Sequence, residues 1–305
     1  MGLSGAYGPT DDDEGVQVIR TYLDAGGTLL DTGDFYGAGH NEELIRRALQ
    51  GRDRDQVVLS VKFGAMRGPD SIPGGIDARP RAVQNFLAYS LQRLGVDHVD
   101  VYRPARLDPA VPIEDTIGAI ADLVDKGYVR HIGLSEVGTA TIRRAAAVAQ
   151  ISDLQIEYSL LSRDLEDTIL PVCRELGIGI SAYGVLSRGL IGGSGSTEGV
   201  RAHSPRFQGA NREHNDALVA RLRELATAKD ASVAQIAIAW VAAQGEDIVP
   251  LVGARRRAQV HTAIDSTRIH LTHDELAQIE ALVPRGAAHG ERYPRQFMAD
   301  LDSEH

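Results

Sequence analysis

The sequence predicts an α/β protein, a (β/α)8 TIM barrel that forms one domain over residues 1–305. Two observations point to this fold class. Short apolar runs alternate with amphipathic helical stretches along almost the whole chain, which is typical of parallel strands covered by helices. The length of 305 residues also suits such a barrel as a single unit.

Seven apolar runs are the strand candidates: residues 27–32, 56–64, 98–105, 129–135, 153–160, 177–185 and 247–253. Helical periodicity fills much of the sequence between them, and several of these helices end in glycine, which accepts the left-handed conformation. A doubly wound sheet is the alternative architecture. However, no strand candidate is followed by the GxGxxG motif of a Rossmann phosphate loop.

The longest irregular stretch covers residues 187–213 and is rich in Gly, Ser and Arg. It follows the strand candidate 177–185, on the face where barrel active sites form. We therefore predict a flap over a ligand, with a passive surface insertion as the alternative.

Composition excludes several classes of function. The chain has 32 Lys and Arg against 42 Asp and Glu, and a formal net charge of −10 argues against general nucleic-acid binding. Cys173 is the only cysteine, which rules out an internal disulfide, and no Cys/His spacing suggests a metal site. Because no membrane-length apolar run and no signal-peptide pattern is present, we expect a cytoplasmic protein.

Three polar residues at the ends of the first two strand candidates suggest chemistry. Asp31 ends one apolar run, Tyr36 lies in the loop after it, and Lys62 interrupts the next run. A buried ammonium group needs a carboxylate partner, and Asp31 is the obvious one. The positive charge is expected to lower the pKa of Tyr36 and make it a general acid. The alternative is a structural ion pair beside a half-exposed tyrosine.

A family resemblance follows from these residues together with motifs further along the chain. The segments include DTGDFYGAGHNEELI, VVLSVKFG, VRHIGLSEV, LQIEYSLLSR and IVPLVGARRRAQV. In this order, over nearly the whole length, the chain resembles the aldo-keto reductase family. The resemblance implies a barrel that uses NADPH to reduce a small-molecule aldehyde or ketone. It also implies that Tyr36 protonates the carbonyl oxygen while Lys62 and Asp31 tune it.

The resemblance further implies which residues hold the nicotinamide end of the cofactor. Ser135 and Gln155 match residues that bind the nicotinamide amide, and Tyr183 matches the aromatic residue on which the ring stacks. Without the resemblance, Ser135 and Gln155 would be ordinary strand-end hydrogen bonders and Tyr183 a core aromatic.

For the adenosine end, Gly253, Arg255 and Arg256 match the loop that receives the 2′-phosphate. Three consecutive arginines at a strand-to-helix junction suit a phosphate and favour NADPH over NADH, with a solvated basic turn as the alternative. Gln259 stands where family members often carry an arginine that binds adenine, so a weaker contact is expected there.

Two departures from the family pattern affect the substrate. Ala105 stands where family members place a histidine that orients the carbonyl, so reduction of simple ketones should be weakened or redirected. Arg103, of the same strand parity, is a candidate to compensate in part. Glu136 follows Ser135 where many members have asparagine, which resembles the pyridoxal-reductase branch and suggests pyridoxal or a similar aldehyde as substrate.

A third departure is the start of the chain, MGLSGAYGP. The N-terminal hairpin and most of the first strand of the family are not recognisable, so seven full strands are expected. The alternative function is an NADPH-binding regulatory or sensor subunit with little turnover, as in channel β-subunits that resemble this family. Asp31, Tyr36 and Lys62 argue against it.

Overall fold

A parallel seven-stranded sheet is the central layer of the computed structural model, which describes residues 1–69, 73–193 and 199–304. Together with two hairpin strands, the strands are β1 (Leu29–Gly33), β2 (Val58–Phe63), β3 (Ala65–Arg67), β4 (Pro73–Ile76), β5 (Val99–Pro104), β6 (Val129–Ser135), β7 (Ile151–Glu157), β8 (Gly179–Tyr183) and β9 (Ile248–Pro250). Their order in the sheet is β1-β2-β5-β6-β7-β8-β9. Each predicted apolar run overlaps one of these seven strands, which confirms the predicted order.

The helices are α1 (Asp12–Asp24), α2 (His40–Leu49), α3 (Pro80–Leu94), α4 (Ile113–Asp125), α5 (Thr139–Ala146), α6 (Ile169–Glu175), α7 (Gly209–Ala220), α8 (Arg223–Ala228), α9 (Val233–Ala242), α10 (Arg257–Asp265), α11 (His273–Leu282) and α12 (Arg295–Met298). Their ends follow local chemistry. Asp11 caps α1 by accepting a hydrogen bond from the amide of Glu14 at 2.8 Å. After α3, Gly95 takes the left-handed conformation with φ 69°.

A single contact shows that the sheet is strongly curled. Three strands separate β1 from β7, so a flat sheet would place them roughly 19 Å apart at a spacing of ~4.8 Å per strand. Yet Gln155 on β7 donates a hydrogen bond to Asp31 on β1 at 2.7 Å. The sheet therefore bends back on itself, and the chain has the predicted barrel architecture.

Alternation along β2 divides its residues between two environments. Val61 and Phe63 are fully buried, and the ring of Phe63 lies 6.2 Å from that of Phe86 on α3, in the layer between sheet and helices. Ser60 and Lys62 have the opposite parity and point into the barrel interior, where their partners are polar. Polar residues in this strand are thus a feature of the barrel interior.

No further strand pairs with the outer edges of β1 and β9 within the described residues, so seven strands form this sheet, as expected. An N-terminal segment, residues 1–9, lies between the loops that follow the two edge strands. Ser4 is hydrogen-bonded to His40 and Asn41 at the start of α2, at 3.0 and 3.1 Å. At the other end, the main chain of the segment contacts Arg255.

Two features differ from the sequence-based expectations. The antiparallel hairpin β3–β4 was not predicted. The irregular stretch 187–213 contains three short 3-10 turns, and its last residues begin α7 at Gly209. Residues 194–198, at the centre of the predicted flap, lie outside the described residues.

Two further expectations concern the single cysteine and membrane-spanning segments. Cys173 is fully buried in α6, and burial raises the pKa of its thiol to about 12, in keeping with a structural role. Across residues 1–69, 73–193 and 199–304, no helix has the length and apolar character needed to cross a membrane.

Candidate active site

The carboxyl ends of β1 and β2 bring Asp31, Tyr36 and Lys62 together. Gly33 pairs in register with Lys62, and the amide of Tyr36 donates to the carbonyl of Gly33 at 2.9 Å, which turns the chain immediately after β1. The ammonium group of Lys62 is hydrogen-bonded to Oδ1 of Asp31. It also lies 5.2 Å from the centre of the Tyr36 ring. The predicted ion pair and its neighbouring phenol are thus present.

Asp31 is the best-satisfied group of the three. Its Oδ2 accepts from Ser60 at 2.8 Å and from Gln155 at 2.7 Å, while Oδ1 accepts from Lys62. Burial alone would raise the pKa of Asp31, but Lys62 and Arg103 outweigh it, so the pKa is lowered and the carboxylate stays charged. Burial also lowers the pKa of Lys62, although the charge of Asp31 opposes this.

The expectation of a lowered pKa for Tyr36 is wrong. Burial raises the pKa of this phenol well above its usual value, and the negative charge of Asp31 raises it further. Arg106 opposes these effects without overcoming them. Asp31, which is paired with Lys62, opposes the effect of the ammonium group on the pKa of Tyr36. Tyr36 is therefore a neutral hydroxyl at physiological pH and can donate a proton or a hydrogen bond.

A layer of buried polar side chains in the barrel interior lies next to the Lys62–Asp31 pair. Arg103 on β5 donates to Asp153 at 2.8 Å and to Ser60 at 2.9 Å, and Ser181 on β8 donates to Asp153 at 2.5 Å. The layer depends on Gly133 of β6, because a Cβ atom there would lie 2.7 Å from Asp153 Oδ1. Arg103 is held in this layer and is only 1% exposed. The expectation that it compensates for Ala105 is therefore wrong.

Ser135, Gln155 and Tyr183 lie at the ends of β6, β7 and β8, on the same rim as Asp31. Ser135 and Gln155 pair in register, and the Gln155 side chain reaches Asp31. The hydroxyl of Tyr183 donates to Glu136 at 2.7 Å and lies 2.7 Å from the hydroxyl of Tyr293. These residues, predicted for the nicotinamide end, are thus brought together with Asp31 at one end of the barrel.

The loop after β9 holds Gly253, Arg255 and Arg256, and Gln259 lies in the first turn of α10. Side-chain space beside Gly253 is open, and Arg256 is exposed. Arg255 instead donates to the main-chain carbonyls of Tyr7, at 2.7 Å, and of Pro9. From the first turn of α10, the Gln259 side chain reaches back and accepts from the amides of Arg255 at 2.8 Å and Arg256 at 3.1 Å, which fixes the start of the helix.

Three residues at this end of the barrel were missed from the sequence: Arg106, Arg292 and Tyr293. Arg292 forms two hydrogen bonds with Glu136, at 2.9 and 2.7 Å. Arg106 donates to the hydroxyl of Tyr293 at 3.5 Å across 187 positions of sequence. The only available signal for Arg106 was its place directly after β5 and Ala105. Arg292 and Tyr293 lie in an irregular segment with no periodicity to mark them.

Within the described ranges, no group of His, Cys, Asp and Glu residues is arranged to hold a metal ion.

Comparison with known proteins identifies relatives of this chain. The model of the Aldo/keto reductase family matches residues 1–284. A relative named probable aldo-keto reductase 1, from Glycine max, is 42% identical over 301 residues, covering 96% of this chain and 86% of the relative. Two solved structures are also similar. The glycerol dehydrogenase of Gluconobacter oxydans has 29% identity and a TM-score of 0.86, covering 95% of this chain and 91% of its own. An aldo/keto reductase of Klebsiella pneumoniae, solved with NADP and acetate, has 26% identity and a TM-score of 0.73, covering 92% and 89%.

Proposed function

The chain belongs to the aldo/keto reductase family, and we propose that within it the protein reduces a small aldehyde or ketone to the alcohol with NADPH. One observation carries this proposal. The buried Lys62–Asp31 pair lies beside Tyr36 on the same rim as Ser135, Gln155 and Tyr183. A proton donor and groups suited to a nicotinamide ring therefore converge at the end of the barrel where active sites form.

The residues present fit the proposed cofactor. The Ser135 hydroxyl and the Gln155 amide can exchange hydrogen bonds with a carboxamide, and the ring of Tyr183 offers a flat face that Glu136 and Tyr293 hold in place. When bound, NADPH supplies the hydride. The similar aldo/keto reductase of Klebsiella pneumoniae, which was solved with NADP, supports this choice of cofactor.

The 2′-phosphate end fits differently from the sequence-based expectation. We propose that Arg256, which is exposed beside the open space at Gly253, provides the main charge for the phosphate. Arg255 instead anchors the N-terminal segment through two main-chain carbonyls. Gln259 uses its side-chain oxygen for the amides of Arg255 and Arg256, so its contribution to the adenosine end is indirect.

In the proposed reaction, Tyr36 donates its proton to the carbonyl oxygen of the substrate. A raised pKa keeps the Tyr36 hydroxyl protonated before the reaction, so its proton is available when the substrate binds. Lys62, 5.2 Å from the ring, then stabilises the phenolate that forms, while Asp31 keeps Lys62 in place. Pyridoxal and similar polar aromatic aldehydes are the proposed substrates, on the basis of Ala105 and Glu136.

The test is NADPH oxidation with a panel of aldehydes and ketones that includes pyridoxal. We expect turnover of at least one aldehyde, and we expect Tyr36→Phe to lower kcat by on the order of a hundredfold through loss of the general acid. Tyr89→Phe is the matched control, because Tyr89 is 52% exposed on α3 and far in sequence from the site. Equal activity of the Tyr36 and Tyr89 variants would contradict the role of Tyr36.

The second candidate, an NADPH-binding sensor subunit, is favoured by Ala105, whose methyl group cannot donate a hydrogen bond to a carbonyl. The same assay separates the two. NADPH binding, followed by quenching of protein fluorescence, together with no turnover of any carbonyl in the panel would support the sensor and reject the reductase.

A further inference from the structure

Arg106 differs from three arginines near it at the carboxyl end of the barrel. Arg188, Arg206 and Arg292 each lie within 4.0 Å of a carboxylate, mainly Glu157 and Glu136. For Arg106, no carboxylate lies within that distance among residues 1–69, 73–193 and 199–304. Its acceptors are neutral: the carbonyl of Ala105 at 2.7 Å, the hydroxyl of Ser135 at 3.4 Å and the hydroxyl of Tyr293 at 3.5 Å.

These three acceptors leave hydrogen-bonding capacity unused. A guanidinium group has five N–H donors, and two of the three contacts of Arg106 are long. The nearest candidate to neutralise it, Glu136, is already engaged by Arg292, Tyr183 and Ser303. Glu136 acts on the charge of Arg106 only from beyond 4.0 Å, and within the described residues no carboxylate accepts a hydrogen bond from this half-buried side chain.

The position of this charge relates it to the proposed proton donor. Arg106 follows directly after β5, on the rim that also carries Ser135, and its charge acts on both Tyr36 and Lys62. Because Arg106 forms no direct ion pair within the described residues, a bound anion can pair with it without displacing a carboxylate of the protein. A guanidinium group also matches a carboxylate or phosphate in geometry, through paired hydrogen bonds.

We propose that Arg106 is a substrate-binding residue that recognises an acidic group, so that aldehydes and ketones carrying a carboxylate or a phosphate are preferred over uncharged ones, pyridoxal included. This inference rests on the proposed function, since it assigns a substrate class to the same site. The acidic group would occupy the donors that Ala105, Ser135 and Tyr293 leave free, while the carbonyl oxygen faces Tyr36.

The experiment compares 4-carboxybenzaldehyde with its neutral methyl ester as substrates of the full-length protein with NADPH. We expect the wild type to prefer the acid in kcat/KM by about 10- to 100-fold, the effect of a charge-assisted hydrogen bond. Arg106→Met should reduce this preference at least tenfold, and Arg106→Lys should retain part of it. Arg79→Met is the control, since Arg79 is an exposed arginine whose side chain is 71% accessible.

A binding measurement tests the same site without turnover. Titration calorimetry of the NADPH-loaded protein should show benzoate binding at least tenfold more tightly than benzamide, and Arg106→Met should abolish the difference. Circular dichroism and the melting temperature of each variant exclude a folding defect. Arg106→Lys provides a second variant if Arg106→Met does not fold.

Three results would overturn the inference. Equal losses for the acid and the ester in Arg106→Met would place Arg106 at the reacting carbonyl instead. A raised Kd for NADPH with the acid preference intact would place it in the cofactor site. If the wild-type protein has equal kcat/KM for the acid and the ester, and equal Kd for benzoate and benzamide, Arg106 forms no anion-binding site. If no carbonyl is reduced at all, the proposed function fails, and benzoate binding still decides the role of Arg106.

Discussion

At the residue scale, Lys62 and Asp31 illustrate how one buried pair supports both the fold and the site. Lys62 is 3% exposed, so its removal would leave a carboxylate enclosed with one charged partner fewer. We expect Lys62→Met to lower the free energy of unfolding by about 3–5 kcal/mol, the usual cost of breaking a buried pair. Denaturant unfolding followed by fluorescence measures the loss.

The control is the double variant Asp31→Asn/Lys62→Met, in which neither charge remains. Because the penalty comes mainly from the unpaired charge, the double variant should recover a large part of the lost stability. If the two single losses simply add in the double variant, the pair is not coupled and this account is wrong.

At this scale the sequence predicted which residues lie together, but it predicted the direction of the Tyr36 pKa shift wrongly. Asp31, Tyr36 and Lys62 lie together, as the strand-end pattern indicated. The pKa of Tyr36 is nevertheless raised, because burial is the largest influence on it and Asp31 compensates the charge of Lys62. Tyr293 and Tyr7, both distant from Tyr36 in sequence, also raise its pKa.

At the element scale, the loop between β9 and α10 assigns different tasks to two neighbouring arginines. Arg255 holds the N-terminal segment, and Arg256 is exposed. We expect Arg256→Ala to raise the Kd for NADPH about 10- to 100-fold while leaving that for NADH little changed, because only NADPH has the 2′-phosphate. Fluorescence titration with both cofactors measures this.

Arg255→Ala is the comparison for that prediction. Removal of its two hydrogen bonds to the main chain should lower the free energy of unfolding by about 1–3 kcal/mol. Hydrogen exchange of residues 1–9 should also become faster. A larger loss of NADPH affinity for Arg255→Ala than for Arg256→Ala would reverse the proposed roles.

Elements were predictable where the apolar pattern was strong. The seven strands of the sheet are buried on both sides and therefore appear as continuous apolar runs. The hairpin of β3 (Ala65–Arg67) and β4 (Pro73–Ile76) was missed because its strands have only three and four residues and β4 contains Pro and Gly. Such short strands form through pairing with each other and carry no periodicity of their own.

At the scale of the whole molecule, a C-terminal segment, residues 283–304, returns to the carboxyl end of the barrel. Arg292 binds Glu136, Ser303 donates to Glu136 at 2.7 Å, and Asp302 accepts from the amide of Gly138 at 2.7 Å. Burial would raise the pKa of Glu136, but Arg292 lowers it to about 2. The segment is thus attached to β6 through an ionised carboxylate.

This attachment predicts a pH dependence of stability. The pKa of Glu136 is lower in the folded protein than its ordinary value of 4.5, so its contribution is present above pH 4.5 and is lost as the pH falls toward 2. We expect Glu136→Gln to lower the free energy of unfolding by about 3 kcal/mol at pH 7. This difference in unfolding free energy between variant and wild type, the stability gap, should become smaller below pH 4.5.

Unfolding in denaturant at pH 7 and at pH 3 measures this gap. Glutamine keeps the shape of the side chain, and Arg292 retains Glu304 at 2.6 Å, so the variant removes a charge without leaving the guanidinium unpaired. A gap that stays constant from pH 7 to pH 3 would show that the ionisation of Glu136 is not what stabilises the attachment.

The sequence by itself determined the barrel and indicated the proposed proton-donor group, because apolar periodicity and strand-end residues such as Asp31 and Lys62 are local signals. Only the tertiary structure decided the electrostatics and the substrate side of the site. Curling of the sheet places Gln155 against Asp31, and the returning C-terminal segment places Tyr293 beside Arg106. These contacts join residues far apart in the chain. That Arg106 forms no direct ion pair within the described residues is seen only when the ion pairs of Arg188, Arg206 and Arg292 are known.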